Sequence, residues 1–227
     1  MDKRSELRGA WRLGGLGLVL VACLAAGPAT GNVARAQEQT IRLAAPETDR
    51  NPFLQLLMKR ESSRSFSPAP LPDQVLANLL WAAAGLNRPG SDKRTAPTAN
   101  NRQEIDVYAA TAAGLYLYDA KAHALRVILP KDVRGLTGRQ AYVKDAAVNL
   151  VYVADEGRSG GASEADRAVY SAAATGFISQ NVYLYCASEG LATVVRAMID
   201  RPALAEAMKL RTSQKIILAQ SVGYPRK

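Results

Sequence analysis

Ile105-Asp-Val-Tyr-Ala-Ala-Thr111, Leu115-Tyr-Leu-Tyr118 and Ala124-Leu-Arg-Val-Ile-Leu129 are three short runs rich in β-branched and aromatic residues. Ala113-Gly114 separates the first pair and Asp119-Ala-Lys-Ala-His123 the second. Runs of this length joined by turn residues predict an antiparallel meander. The single histidine, His123, falls in the second turn and reads as a solvated turn residue. That rules out any site with two histidine ligands and argues against a Ser-His-Asp hydrolase, whose base it would have to be.

Outward from the meander, strands alternate with helical patterns. Downstream, residues 134–144 predict a short helix. Ala147 to Ala154 predicts a strand apolar enough to be central, and 157–162 a Gly/Ser surface loop. Ser163 then caps a long helix that runs to Glu189 and stops at Gly190. Near Phe177, Ile178, Val182, Leu184 and Cys186 that helix is apolar nearly all round, and such a helix has to be buried on every side. One subunit of this size is too small to cover it, so a homodimer is expected. Residues 191–199 read as extended, 201–209 as a short helix and Lys215 to Val222 as a last strand. Upstream, Asp73 to Ala84 repeats Val75, Leu76, Leu79, Leu80 and Ala83 at helical spacing. Residues 51–61 form another helix, with Pro52 at its start. A Ser/Pro-rich break over 62–72 separates the two helices. A long loop dense in Gly, Pro and Asn fills 85–103, and loops of that length are usually functional. The class is α+β, in one domain over 51–227 without internal repeats.

The chain has 227 residues, 48% hydrophobic and 22% charged, a balance that excludes disorder, collagen-like repeats and charge-rich coiled coils. Two cysteines exclude a disulfide scaffold and a four-cysteine zinc site. The start differs from the rest. Lys3, Arg4, Arg8 and Arg12 precede an uncharged run from Leu13, and Ala34-Arg35-Ala36 closes it, the order of a secretory signal peptide over 1–36. A retained anchor fits less well, because the second half of the run is Gly/Pro/Thr-rich. Leu20-Val21-Ala22-Cys23 offers a second export reading, a bacterial lipobox with a lipid on Cys23. Contact with a membrane is expected only through the leader or that lipid. Cleavage after Ala36 leaves a linker over 37–50. It removes five basic and two acidic side chains from a net charge of +9, leaving +6. The remaining cysteine, Cys186, is expected as a buried lone thiol.

Two segments carry chemistry. In Arg60-Glu61-Ser62-Ser63-Arg64-Ser65-Phe66, two arginines and a serine can converge on one phosphate, since guanidinium and hydroxyl both donate. The alternative is a solvated basic helix end facing the helix dipole. In Arg94-Thr-Ala-Pro97-Thr98-Ala-Asn100-Asn101-Arg102-Gln103, the amides offer both donor and acceptor, as a heteroaromatic edge requires. The alternative is a polar loop with Asn-driven turns.

Together and in this order, these segments resemble the nitroreductase superfamily of FMN-dependent flavoproteins. That family opens with a helix and an Arg-x-Ser-x-Arg-x-Phe-like segment. A Leu-Pro segment and helix follow, here Leu71-Pro72 and Val75 to Ala84. Next comes a Pro-Ser-x-x-Asn-x-Gln-like loop, matched by Pro97, Thr98, Asn101 and Gln103. Gly190-Leu191 and Gly223-Tyr224-Pro225 fit the end of the long helix and the closing strand. The resemblance spans about residues 51 to 225. The stretch at 79–83 and Arg94-Thr-Ala-Pro97 are most similar to a short subgroup related to the dehydrogenases that make thiazoles and oxazoles in peptides.

The resemblance implies a mixed, mainly antiparallel sheet flanked by helices, with the long helix at a dimer interface and FMN bound there. It implies an oxidoreductase moving two electrons through flavin N5 to a small organic or quinone-like acceptor, without a nucleic-acid partner. Arg60, Ser62 and Arg64 would hold the phosphate. Asn101 would meet the flavin ring, with Thr98 and Gln103 nearby. No catalytic side chain or metal ligand is implied, since the cofactor carries the hard step. Two features depart from the pattern: Arg196-Ala197-Met198 stands where many members have glycine, and the chain ends at Arg226-Lys227 without the usual tail. The export signal is the main support for a different class, a flavin-free periplasmic binding or structural protein of the same fold.

Overall fold

The computed structural model describes residues 41–226, so the predicted leader and the first part of the linker lie outside the described residues. Helix α1, Pro52–Lys59, starts where Asn51 accepts from the amides of Phe53 and Leu54 at 3.0 and 3.3 Å and Pro52 needs no partner. Helix α2, Asp73–Ala84, follows the extended stretch 60–72. Strands β1, Ile105–Thr111, β2, Leu115–Asp119, and β3, Ala124–Leu129, form the meander. Strand β4, Val148–Asp155, leads to helix α3, Glu164–Glu189. Strand β5, Ala192–Arg196, helix α4, Arg201–Met208, and strand β6, Gln214–Gly223, complete the chain.

The α3 ends follow their sequence signals. Ser163 accepts from the Asp166 amide at 3.1 Å and donates to its carboxylate at 2.7 Å, and Gly190 adopts φ 66°, the left-handed turn that glycine takes without strain. The six strands run in the order β3-β2-β1-β4-β6-β5, and every pairing among them is antiparallel. The mixed sheet implied by the resemblance is thus antiparallel throughout its described strands.

Alternation along the strands builds two cores. Ile105, Val107, Leu150 and Tyr152 face Leu79, Leu80 and Ala83 of α2 and Ile178 and Val182 of α3. On the other face, Tyr108, Val151, Val153 and Ile216 meet Leu204 and Met208 of α4. Residues 134–144 differ from the expected helix: they form two 3-10 turns, Arg134–Leu136 and Ala141–Lys144. Their carbonyls are taken by buried side chains from elsewhere. Thr137 O accepts from Arg196, and Val143 O from Asn149 at 2.7 Å. A helix would have needed the Thr137 carbonyl for itself.

Candidate functional site

The segment 60–67 touches the outer edge of β5, which pairs with β6 alone, and then crosses to the residues that follow β6. The Ser63 amide donates to Thr193 O at 2.9 Å and the Ser67 amide to Tyr224 O at 2.8 Å. Phe66, 1% exposed, anchors the segment in a small core with Ala146, Ala192 and Val194. The chain's end clamps it from outside. The Arg226 amide donates to Ser65 O, its Nε to Phe66 O at 3.1 Å, and its guanidinium pairs with Asp145 at 2.9 Å. Arg226 therefore holds the arginine segment in shape instead of reaching outward itself.

Within this frame Ser62 and Arg64 are exposed and Arg60 is half-buried. The Arg60 guanidinium lies over the Tyr183 ring, 5.5 Å from its centroid. Among the described residues, neither Arg60 nor Arg64 has a carboxylate within ion-pair distance. Two arginines held beside an exposed serine with no acid to neutralise them suit a phosphate. Ser62 Oγ lies 2.8 Å from the Tyr183 hydroxyl, which also accepts from the Val195 amide at 2.9 Å. Sequence reasoning did not single out Tyr183. The available signal was a tyrosine on the apolar stretch of a long helix, whose hydroxyl needs a partner when buried.

The second segment is drawn together by Asp92. Its carboxylate accepts from Asn101 Nδ2 at 3.2 Å and its carbonyl from Gln103 Nε2 at 2.7 Å. Gln103 Nε2 also donates to Asn101 Oδ1 at 3.0 Å, and the Gln103 amide to Thr98 Oγ1 at 3.0 Å. Thr98, Asn101 and Gln103 thus form one cluster. Its backbone is strained: Asn100, Asn101 and Gln103 have φ of 52°, 55° and 50°. Side-chain residues held in that region concentrate at functional sites. Nothing in the local sequence marked Asp92, which lies in a loop already full of turn formers. Arg94, which opens the segment, is half-buried, and desolvation, with Arg158 adding to it, lowers its pKa from the usual arginine value.

The two segments do not meet within one chain. Gln103 lies just before Ile105, which pairs with Ala154, which pairs with Lys215 at the start of β6. Ser63 lies on Thr193, which pairs with Val222 at the other end of β6. The length of β6 from Lys215 to Val222 separates them by roughly 23 Å. Two larger clefts, of about 510 and 660 Å³, include none of the six predicted site residues.

The remaining departures are structural. Arg196 is 6% exposed and is held by Thr137 O, Thr137 Oγ1, Asn149 Oδ1 and Ser221 Oγ. Burial pulls its pKa down to about 10. Gly138 covers it, and a Cβ there would overlap Nη1. Met198, two residues on, is exposed. Cys186 is a buried free thiol whose pKa burial pushes up to about 12, which leaves it inert. His123 is exposed in its turn, 2.9 Å from the Tyr118 hydroxyl.

The order of these elements, from the edge-bound arginine segment to the closing strand, agrees with comparison to known proteins. A sequence model of the nitroreductase family matches residues 57–224. The chain belongs to the nitroreductase family. Among solved structures, this nitroreductase is similar to a candidate nitroreductase of Ralstonia eutropha JMP134. The two are 41% identical, the match covers 84% of this chain and 88% of that one, and the TM-score is 0.75. It shares its fold with a chain of the Escherichia coli microcin synthetase complex at TM-score 0.69 and 18% identity, over 86% of this chain and 77% of that one. It also shares its fold with a candidate nitroreductase from Desulfovibrio desulfuricans solved in complex with FMN. That match has TM-score 0.57 and 22% identity, over 78% and 88% of the two chains.

Proposed function

We propose that this nitroreductase is an exported homodimeric FMN-dependent oxidoreductase whose flavin site is shared between two chains. The separation of the two segments carries the reading. Residues suited to a phosphate and residues suited to a flavin edge lie at opposite ends of one sheet, roughly 23 Å apart along β6, and neither of the two larger clefts joins them. Arg60, Ser62 and Arg64 of one chain therefore hold the phosphate, while Thr98, Asn101 and Gln103 of the second offer amide and hydroxyl groups to the ring. The absence of any of these residues from the larger clefts fits a site completed only on pairing. The family and the FMN bound by a relative of the same fold support the cofactor.

When bound, FMN supplies the two-electron chemistry, passing a hydride through N5 to a small organic or quinone-like acceptor. The chain's own residues neutralise the phosphate, orient the ring and exclude water on pairing. A base side chain is not required. Protein purified with its cofactor is expected to be yellow and to release one FMN per chain. Colourless protein that takes up no FMN on incubation would instead support the flavin-free binding or structural protein. Export rests on the leader sequence alone. The intact mass of protein recovered from the periplasm or medium is expected to begin at Gln37, and a lipid-bearing Cys23 terminus would replace this with the lipoprotein reading.

A further inference from the structure

We propose that Tyr183 is a positioning residue of the phosphate clamp, fixing the Ser62 hydroxyl as a hydrogen-bond donor toward the anion and Arg60 beside it. This rests on the reading of Arg60, Ser62 and Arg64 as the phosphate site. Tyr183 projects from α3 and is 8% exposed. Its hydroxyl sits 2.9 Å from the Val195 amide and 2.8 Å from Ser62 Oγ. An amide N–H can only donate, so the tyrosine oxygen accepts from Val195 and must send its single proton elsewhere. Ser62 Oγ is the partner the described residues provide. Ser62 therefore accepts from Tyr183, and its own proton is left for the exposed side.

The reverse polarity is the worse arrangement. Tyr183 would then receive two donors, and its own proton would be buried without an acceptor. A phosphomonoester dianion presents acceptors only, so a serine held as a donor matches it and one held as an acceptor does not. The relay from Val195 N–H through Tyr183 to Ser62 also polarises the terminal hydroxyl toward donation. The Val195 amide would otherwise be an open group on the edge of β5, so the same tyrosine closes the edge and aims the serine. Its ring face meanwhile holds Arg60, 5.5 Å from the centroid, without neutralising it as a carboxylate would.

The test is a double-mutant cycle on the full chain stripped of flavin and titrated separately with FMN and riboflavin by fluorescence quenching. Tyr183→Phe keeps the ring and loses the hydroxyl. The expectation is an FMN affinity lower by about tenfold for Ser62→Ala and about threefold or more for Tyr183→Phe. The double variant is expected to bind no more weakly than Ser62→Ala, and Ser62→Thr, which keeps a hydroxyl, to bind as wild type. Riboflavin binding is expected to stay near wild type throughout, which also certifies folding. Wild-type FMN affinity in Tyr183→Phe with loss in Ser62→Ala overturns the positioning role alone. So do additive losses, or equal losses for FMN and riboflavin in Tyr183→Phe. If Ser62→Ala and Arg64→Ala both bind FMN as wild type, the phosphate site itself is wrong and the proposal goes with it.

Discussion

Arg64 stands in solvent with no carboxylate within ion-pair distance among the described residues, on a segment pinned by Ser63, Phe66 and Arg226. A free cation on a fixed backbone loses little entropy when it meets an anion, and a charge-assisted hydrogen bond there is worth roughly 1.5–3 kcal/mol. Arg64→Ala is therefore expected to weaken FMN binding by about one to two decades and riboflavin binding far less. Arg126→Ala, on the exposed edge strand β3 outside both segments, serves as the control. Unchanged FMN affinity would make Arg64 an ordinary solvated charge, and equal weakening of both flavins would make its role structural. At this scale the phosphate residues were legible because their types and spacing name their chemistry. Tyr183 and Asp92 were not, because their roles depend on which distant residue they meet: Ser62 in one case, Asn101 and Gln103 in the other.

Helix α3 shows how an element can be right in its limits and still be half-dressed in one chain. Ser163 and Gly190 marked its ends, and Ile178, Val182 and Cys186 bury one face as their spacing requires. Val169, Tyr170 and Phe177 share the opposite stripe, with Val169 65% and Phe177 48% exposed. The expected all-round burial is thus not met within one chain, and a second copy of this nitroreductase is the proposed cover. Phe177→Glu places a charge in that stripe. It is expected to shift sedimentation toward monomer at micromolar concentration and to lower FMN occupancy with it. A variant that stays dimeric with full flavin would place the interface elsewhere. The opposite lesson comes from 134–144. The segment's carbonyls at Thr137 and Val143 serve Arg196 and Asn149, and no local pattern announces such demands.

For the whole molecule, the antiparallel meander of β1, β2 and β3 followed from its turn residues, and the central place of β4 from its apolar run. The order of strands and the distance between the two chemical segments did not, since both depend on β6 returning between β4 and β5. That distance is the central claim's foundation: the two halves of the proposed site, each whole in one chain, meet only across two chains. A subunit-mixing experiment tests it most directly. Arg60→Ala/Arg64→Ala damages only the phosphate half, and Asn101→Ala/Gln103→Ala only the ring half. Each variant alone is expected to bind FMN weakly at both sites of its dimer. Co-expressed, the two pair at random, and each mixed dimer carries one intact site and one doubly damaged site. The co-expressed protein is then expected to recover full-affinity binding at about a quarter of its sites. No recovery, with each variant stable and dimeric, would contradict the account, because a site built within one chain stays damaged whatever its partner.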